Sequence, residues 1–221
     1  MRGLMRKDFA LMMLQRKLLI MVLTIGGMLG ATSSAASGST FVVAYVGFIF
    51  ILLATSTISY DELDNGETFL MTLPVTRREF IREKYLFGII VTFIGWGIGV
   101  VLKLVFGMIS GHFMLNKESV MEVTAILLSM ILFLALILPV ILKFGQEKGR
   151  IVWIVIIGIM FILGYAYEKW AQRTGMDVSA RVSEIFSRHS GQVFPFAIIL
   201  VCLLTYISYR ISCKVWEKKE F

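Results

Sequence analysis

Val123–Leu142 reads VTAILLSMILFLALILPVIL, twenty residues with no charge and no alternation of apolar with polar. A helix of that length spans about 30 Å, the thickness of bilayer hydrocarbon. A strand of a membrane barrel would alternate instead. The stretch is therefore read as a helix crossing a membrane, with Pro139 expected to kink it or mark an irregular turn near its end. Working outward, five more apolar stretches of crossing length appear: Leu18–Ala36, Phe41–Ser59, Leu86–Ser110, Ile151–Tyr167 and Val193–Ser212. The expected fold is an all-α membrane protein of six transmembrane helices, one domain over residues 1–221.

Composition agrees. Of 221 residues, 57% are hydrophobic and 17% charged, and the mean hydropathy is +0.82. Soluble domains are about 45–50% apolar and about 25% charged, and disordered chains are poorer still in Phe, Ile and Leu. The net charge of +7 does not mark a nucleic-acid binder, because the cations flank apolar stretches rather than forming one basic face. Six spans with a cytoplasmic N-terminus place 16 Lys and Arg in inner segments against 5 in outer ones. Both termini are thus expected in the cytoplasm. Met1–Lys17 carries Leu4, Met5, Phe9 and Met12 at helical spacing, with Arg2, Arg6, Lys7 and Arg16 elsewhere, as an interfacial amphipathic helix would. The competing reading is a signal peptide ending near Ser34-Ala35-Ala36. Cys202 and Cys213, about 16 Å apart on one helix, are too distant to bridge within it and are read as free thiols.

Catalytic and metal-binding signatures are missing. There is no H-E-x-x-H, no G-x-S-x-G and no phosphate-cradling loop, since Gly145-Gln146-Glu147-Lys148-Gly149-Arg150 lacks its spacing and its Gly-Lys-Ser/Thr ending. His112 and His189 fall in expected outer segments. Lys103 is the one ionisable group deep in a span. It either snorkels to the outer surface or lines a translocation path for anionic or polar cargo. Gly26-x-x-x-Gly30 and Gly95-x-x-x-Gly99 permit close helix approach, within the bundle or across a dimer.

The inner segment between spans two and three is the most informative: Tyr60-Asp61-Glu62-Leu63-Asp64-Asn65-Gly66-Glu67-Thr68-Phe69-Leu70-Met71-Thr72-Leu73-Pro74-Val75-Thr76-Arg77-Arg78-Glu79-Phe80-Ile81-Arg82-Glu83-Lys84-Tyr85. Glu67–Leu73 is expected to form a short helix exposing Phe69, Leu70 and Leu73, stopped by Pro74. Thr76 should cap a second helix, with Glu79 completing a capping box. That helix would set Phe80, Ile81 and Tyr85 against the membrane and turn Arg77, Arg78, Arg82 and Lys84 to lipid phosphates. A short helix with apolar and acidic faces suits docking into a groove on a soluble partner. The plain alternative is an interfacial helix with no partner.

This tract, through Tyr60-Asp61-Glu62, Gly66, Phe69 to Arg77 and Lys84-Tyr85, resembles the inner loop of ABC-2 type permeases, the membrane subunits of ABC exporters. It is most similar to small bacterial members encoded apart from their ATPase. The resemblance implies that the loop holds the coupling helix touching the nucleotide-binding subunit, a role that falls on Glu62, Gly66, Glu67, Phe69, Leu70, Leu73 and Pro74. It implies an ABC ATPase partner that carries ATP and magnesium, and no cofactor in this chain. A second permease chain, surrounding lipid, the bacterial cytoplasmic membrane, and export of a peptide, antibiotic or lipid also follow from it. Alternatives from other classes are a membrane assembly or sensing protein, a secondary transporter with internal repeats and broken helices, and a membrane enzyme.

Overall fold

The computed structural model describes residues 2–32, 36–62, 66–72, 75–109, 116–174 and 190–217, all helical apart from short connections. The helices are α1 (Arg2–Leu14), α2 (Arg16–Thr32), α3 (Ala36–Glu62), α4 (Gly66–Thr72), α5 (Arg77–Ile109), α6 (Lys117–Thr174) and α7 (Ser190–Glu217). Four stretches are long and apolar enough to cross a membrane: Thr40–Glu62, Arg77–Ile109, Ser119–Gly145 and Phe194–Glu217. Helices α1 and α2 are bent by 64° where they meet and add a fifth if counted together. The described residues thus give four or five candidate spans where six are expected. Ile151–Tyr167 is helical throughout, as the limb of α6 beyond its break, and several of its side chains lie outside the description. His112 and His189, with residues 175–189 of the last expected outer segment, also lie outside it.

The break in α6 is at Gly145, inside the connection expected between Leu142 and Ile151, and no non-helical break occurs at Pro139. Pro139 sits inside the helix, whereas Gly145 has φ 77° and ψ 170°. That conformation is essentially restricted to glycine, so it can reverse the chain where a proline only bends it.

Helix α3 is the central post. Val42, Val43, Val46 and Ile51 are fully buried along it, and it packs along α5. The approach is close because Gly99 faces Val43: a Cβ there would lie 2.8 Å from the Val43 Cα. The Gly95-x-x-x-Gly99 pair is therefore used within the chain, between α3 and α5. One core cluster gathers Ile58, Phe80, Leu134, Leu138 and Trp216 from α3, α5, α6 and α7. A second gathers Met12, Val46, Phe87 and Val91 from α1, α3 and α5. Outside, Ile20, Met28, Phe161, Ile162, Phe196 and Ile199 are exposed. An apolar perimeter of this kind belongs in lipid, not water.

Candidate coupling site

The site begins where α3 ends. Asp61 and Glu62 sit in its last turn, where the helix dipole disfavours negative charge. Two lysines offset this. The Lys84 ammonium of α5 lies 2.6 Å from Asp61 Oδ2 and 2.5 Å from Asp8 Oδ2 of α1. Lys7 pairs with Asp61 and, at 3.3 Å, with Asp8 Oδ1. The Thr57 hydroxyl donates to Asp8 Oδ2 at 3.3 Å. Two cations and two anions from three helices thus close a buried cluster in which Lys84 is 2% exposed. Beside it Glu83 is equally buried, and neither of its carboxyl oxygens has a hydrogen-bond partner among the described residues.

Sequence reasoning turned Lys84 to lipid phosphates and Phe80, Ile81 and Tyr85 to the membrane. Instead all four are buried in the protein. Phe80 stacks on Trp216 of α7 at 5.1 Å between ring centroids, and the Tyr85 hydroxyl lies 2.7 Å from Ser208 Oγ and 2.8 Å from Ser212 Oγ. Lys84 shares the buried face of α5 with Phe80, one helical turn before it, while Arg78 and Arg82 stay exposed. Asp8 was missed altogether, although a signal existed. It is the sole acid before Asp61, and Leu4, Asp8 and Met12 follow one another at i,i+4 spacing. An isolated acid on an apolar helical stripe needs a buried partner.

Helix α4 starts close against the end of α3. A Cβ on Gly66 would sit 2.7 Å from the Asp61 carbonyl oxygen, so only glycine fits. Within α4, Leu70 turns inward, 9% exposed in the main core, whereas Phe69 is 66% exposed. The expectation that both would be displayed holds for Phe69 alone, because neighbouring helical residues point about 100° apart. Glu67 belongs to α4, but its side chain lies outside the description, as do Leu73 and Pro74. The capping box is present as read. The Thr76 backbone N–H donates to Glu79 Oε2 at 3.0 Å, and the Glu79 N–H donates to Thr76 Oγ1 at 3.2 Å. Next to it Arg77 donates to the Glu217 carbonyl at 2.8 Å, and Arg78 Nε donates to Glu217 Oε1 at 2.8 Å. Glu62 faces the α6 break, its carboxylate oxygens 3.3 Å from where a Gly145 Cβ would be.

Among the described residues no group of His, Cys, Asp or Glu could hold a metal ion. What the arrangement offers is mechanical: a short helix with one displayed aromatic, seated on a charged joint between three longer helices. Over residues 3–217 the sequence matches the family model described as ABC-2 family transporter protein.

The chain belongs to the ABC-2 family.

No curated protein and no solved structure matches it. As an ABC-2 permease it is a multi-pass membrane protein and the transport component of an ABC system, and the family implies association with an ABC ATPase. In this permease Lys103 is already engaged, 12% exposed, donating to Thr40 Oγ1 at 2.9 Å and lying 3.8 Å from Glu122 Oε2. It links α3, α5 and α6 at the ends opposite the α4 joint.

Proposed function

We propose that this permease is half of an exporter in the bacterial cytoplasmic membrane. It crosses six times with both ends in the cytoplasm, α1 lies at the inner surface, and a second permease chain stands beside it. ATP and magnesium are bound by the separate ATPase subunit beneath each permease, and α4 is the coupling helix that the ATPase grips. Phe69 is the apolar anchor, with Glu62, Gly66, Glu67, Leu70, Leu73 and Pro74 shaping and bracing the element around it. Closure of the ATPase dimer pushes on α4, and the push passes to α1, α3 and α5 as one rigid body. The cargo is an amphipathic peptide, a hydrophobic antibiotic or a lipid. For Lys103 to line its path, the contacts to Thr40 and Glu122 must open during the cycle.

The observation that carries this reading is the exposure of Phe69 on a seven-residue helix whose base is locked by Gly66, Leu70 and the Lys84 cluster. A large exposed aromatic on a rigidly held helix is how an anchor for a partner groove is built. The test is co-purification of the ATPase with wild type and with Phe69→Asp. Association should be lost in the variant while its melting temperature stays within about 2 °C of wild type, as for surface substitutions. Retained association overturns the docking role.

A further inference from the structure

Helices α5, α6 and α7 enclose an open-sided groove of about 780 Å³. Its walls include Ile89, Phe93, Leu127, Ile131, Ile198 and Val201, and apart from Thr124 and Thr205 they are apolar or weakly polar over most of the length. One end differs. There Arg82 borders the groove with Tyr206 and Tyr209, and no carboxylate pairs with Arg82 among the described residues. Arg82 precedes Phe93 by eleven residues, so the groove runs about 16 Å along α5 from its charged end. One leaflet of hydrocarbon is about 15 Å deep, half of the bilayer core. The element has the shape and polarity of a single lipid molecule: a cation at headgroup level, and an apolar channel one leaflet long beginning at it.

We propose that this groove binds an anionic phospholipid, with one acyl chain lying between α5, α6 and α7 and the phosphate on the Arg82 guanidinium. Guanidinium binds phosphate oxygens through paired N–H donors, and basic pockets between membrane helices take anionic headgroups. A second copy of the chain is the competing occupant of the walls, and cross-linking distinguishes it. The site lies apart from α4 and does not depend on the transport reading.

The test uses the full chain in detergent, titrated with phosphatidylglycerol or phosphatidylcholine and read by native mass spectrometry. Phosphatidylglycerol should be retained in preference, and Arg82→Gln should weaken its retention about fivefold, the effect of one basic residue at a membrane surface. Thr205→Trp, which narrows the groove, should weaken retention of both lipids. A readout with the groove intact uses Cys202, which lines it. In a Cys213→Ser background, phosphatidylglycerol should slow maleimide labelling of Cys202 more than phosphatidylcholine does. Equal retention of the two lipids, unchanged retention in Arg82→Gln, or unprotected Cys202 overturns the proposal. So does efficient Cys202–Cys202 cross-linking between two copies, which would make the groove a permease–permease contact.

Discussion

At Lys84 one ammonium answers two aspartates from different helices, with 1% of its side chain exposed. Replacing it by Met leaves Asp8 and Asp61 facing each other with only Lys7 between them. Uncompensated buried charge costs about 3–5 kcal/mol, and Lys84→Met should lower the melting temperature in detergent more than Lys7→Met, since Lys7 is partly exposed. Equal losses would mean that the cluster is not the joint described. Glu83 predicts the opposite sign. Its carboxyl is buried without a hydrogen-bond partner among the described residues, so Glu83→Met should stabilise by about 1–3 kcal/mol, the penalty of an unsatisfied polar group. A fall in melting temperature on that change would show that the carboxyl is satisfied after all.

Among the elements, those decided by neighbours in sequence were legible. The capping box needs only Thr76 and Glu79, three residues apart, and forms as read. Helix α4 was visible because a short apolar stretch, read as Glu67–Leu73, ends at Pro74, and it forms over Gly66–Thr72. Which way Lys84 points was not visible. Its partners are Asp8 and Asp61 rather than lipid phosphates, and they lie 76 and 23 residues away. The break at Gly145 falls in the inner connection expected between Leu142 and Ile151, but its exact residue was not legible, because Gly145 acts only through its positive φ. Gly145→Ala should cost about 1–3 kcal/mol of backbone strain and displace the Glu62 carboxylate, with a matching drop in the unfolding midpoint. Gly66→Ala should shift α4 away from the Asp61 carbonyl, weakening ATPase pull-down more than it lowers thermal stability. A variant that binds as wild type does would remove this close approach from the coupling role.

Across the molecule, the six-helix expectation rested on hydropathy, and the described residues give four or five candidate spans. Packing ties the last helix to the first half of the chain. Trp216 is fully buried and stacked on Phe80, and the Arg77 guanidinium donates to the Trp216 carbonyl at 3.3 Å. Trp216→Ala should cost about 3–5 kcal/mol and loosen α7 from α5, seen as faster proteolysis near Glu217. The Asp8 cluster also sets an order of events during biosynthesis. Asp8 leaves the ribosome 76 residues before Lys84, so the leading helix has no cation from α5 to receive it until the third long helix has been made. Until then a buried Asp8 carboxylate would have only Lys7 beside it, so the nascent leading segment is expected to stay at the aqueous face and to seat itself once the later helix has been threaded into the bilayer.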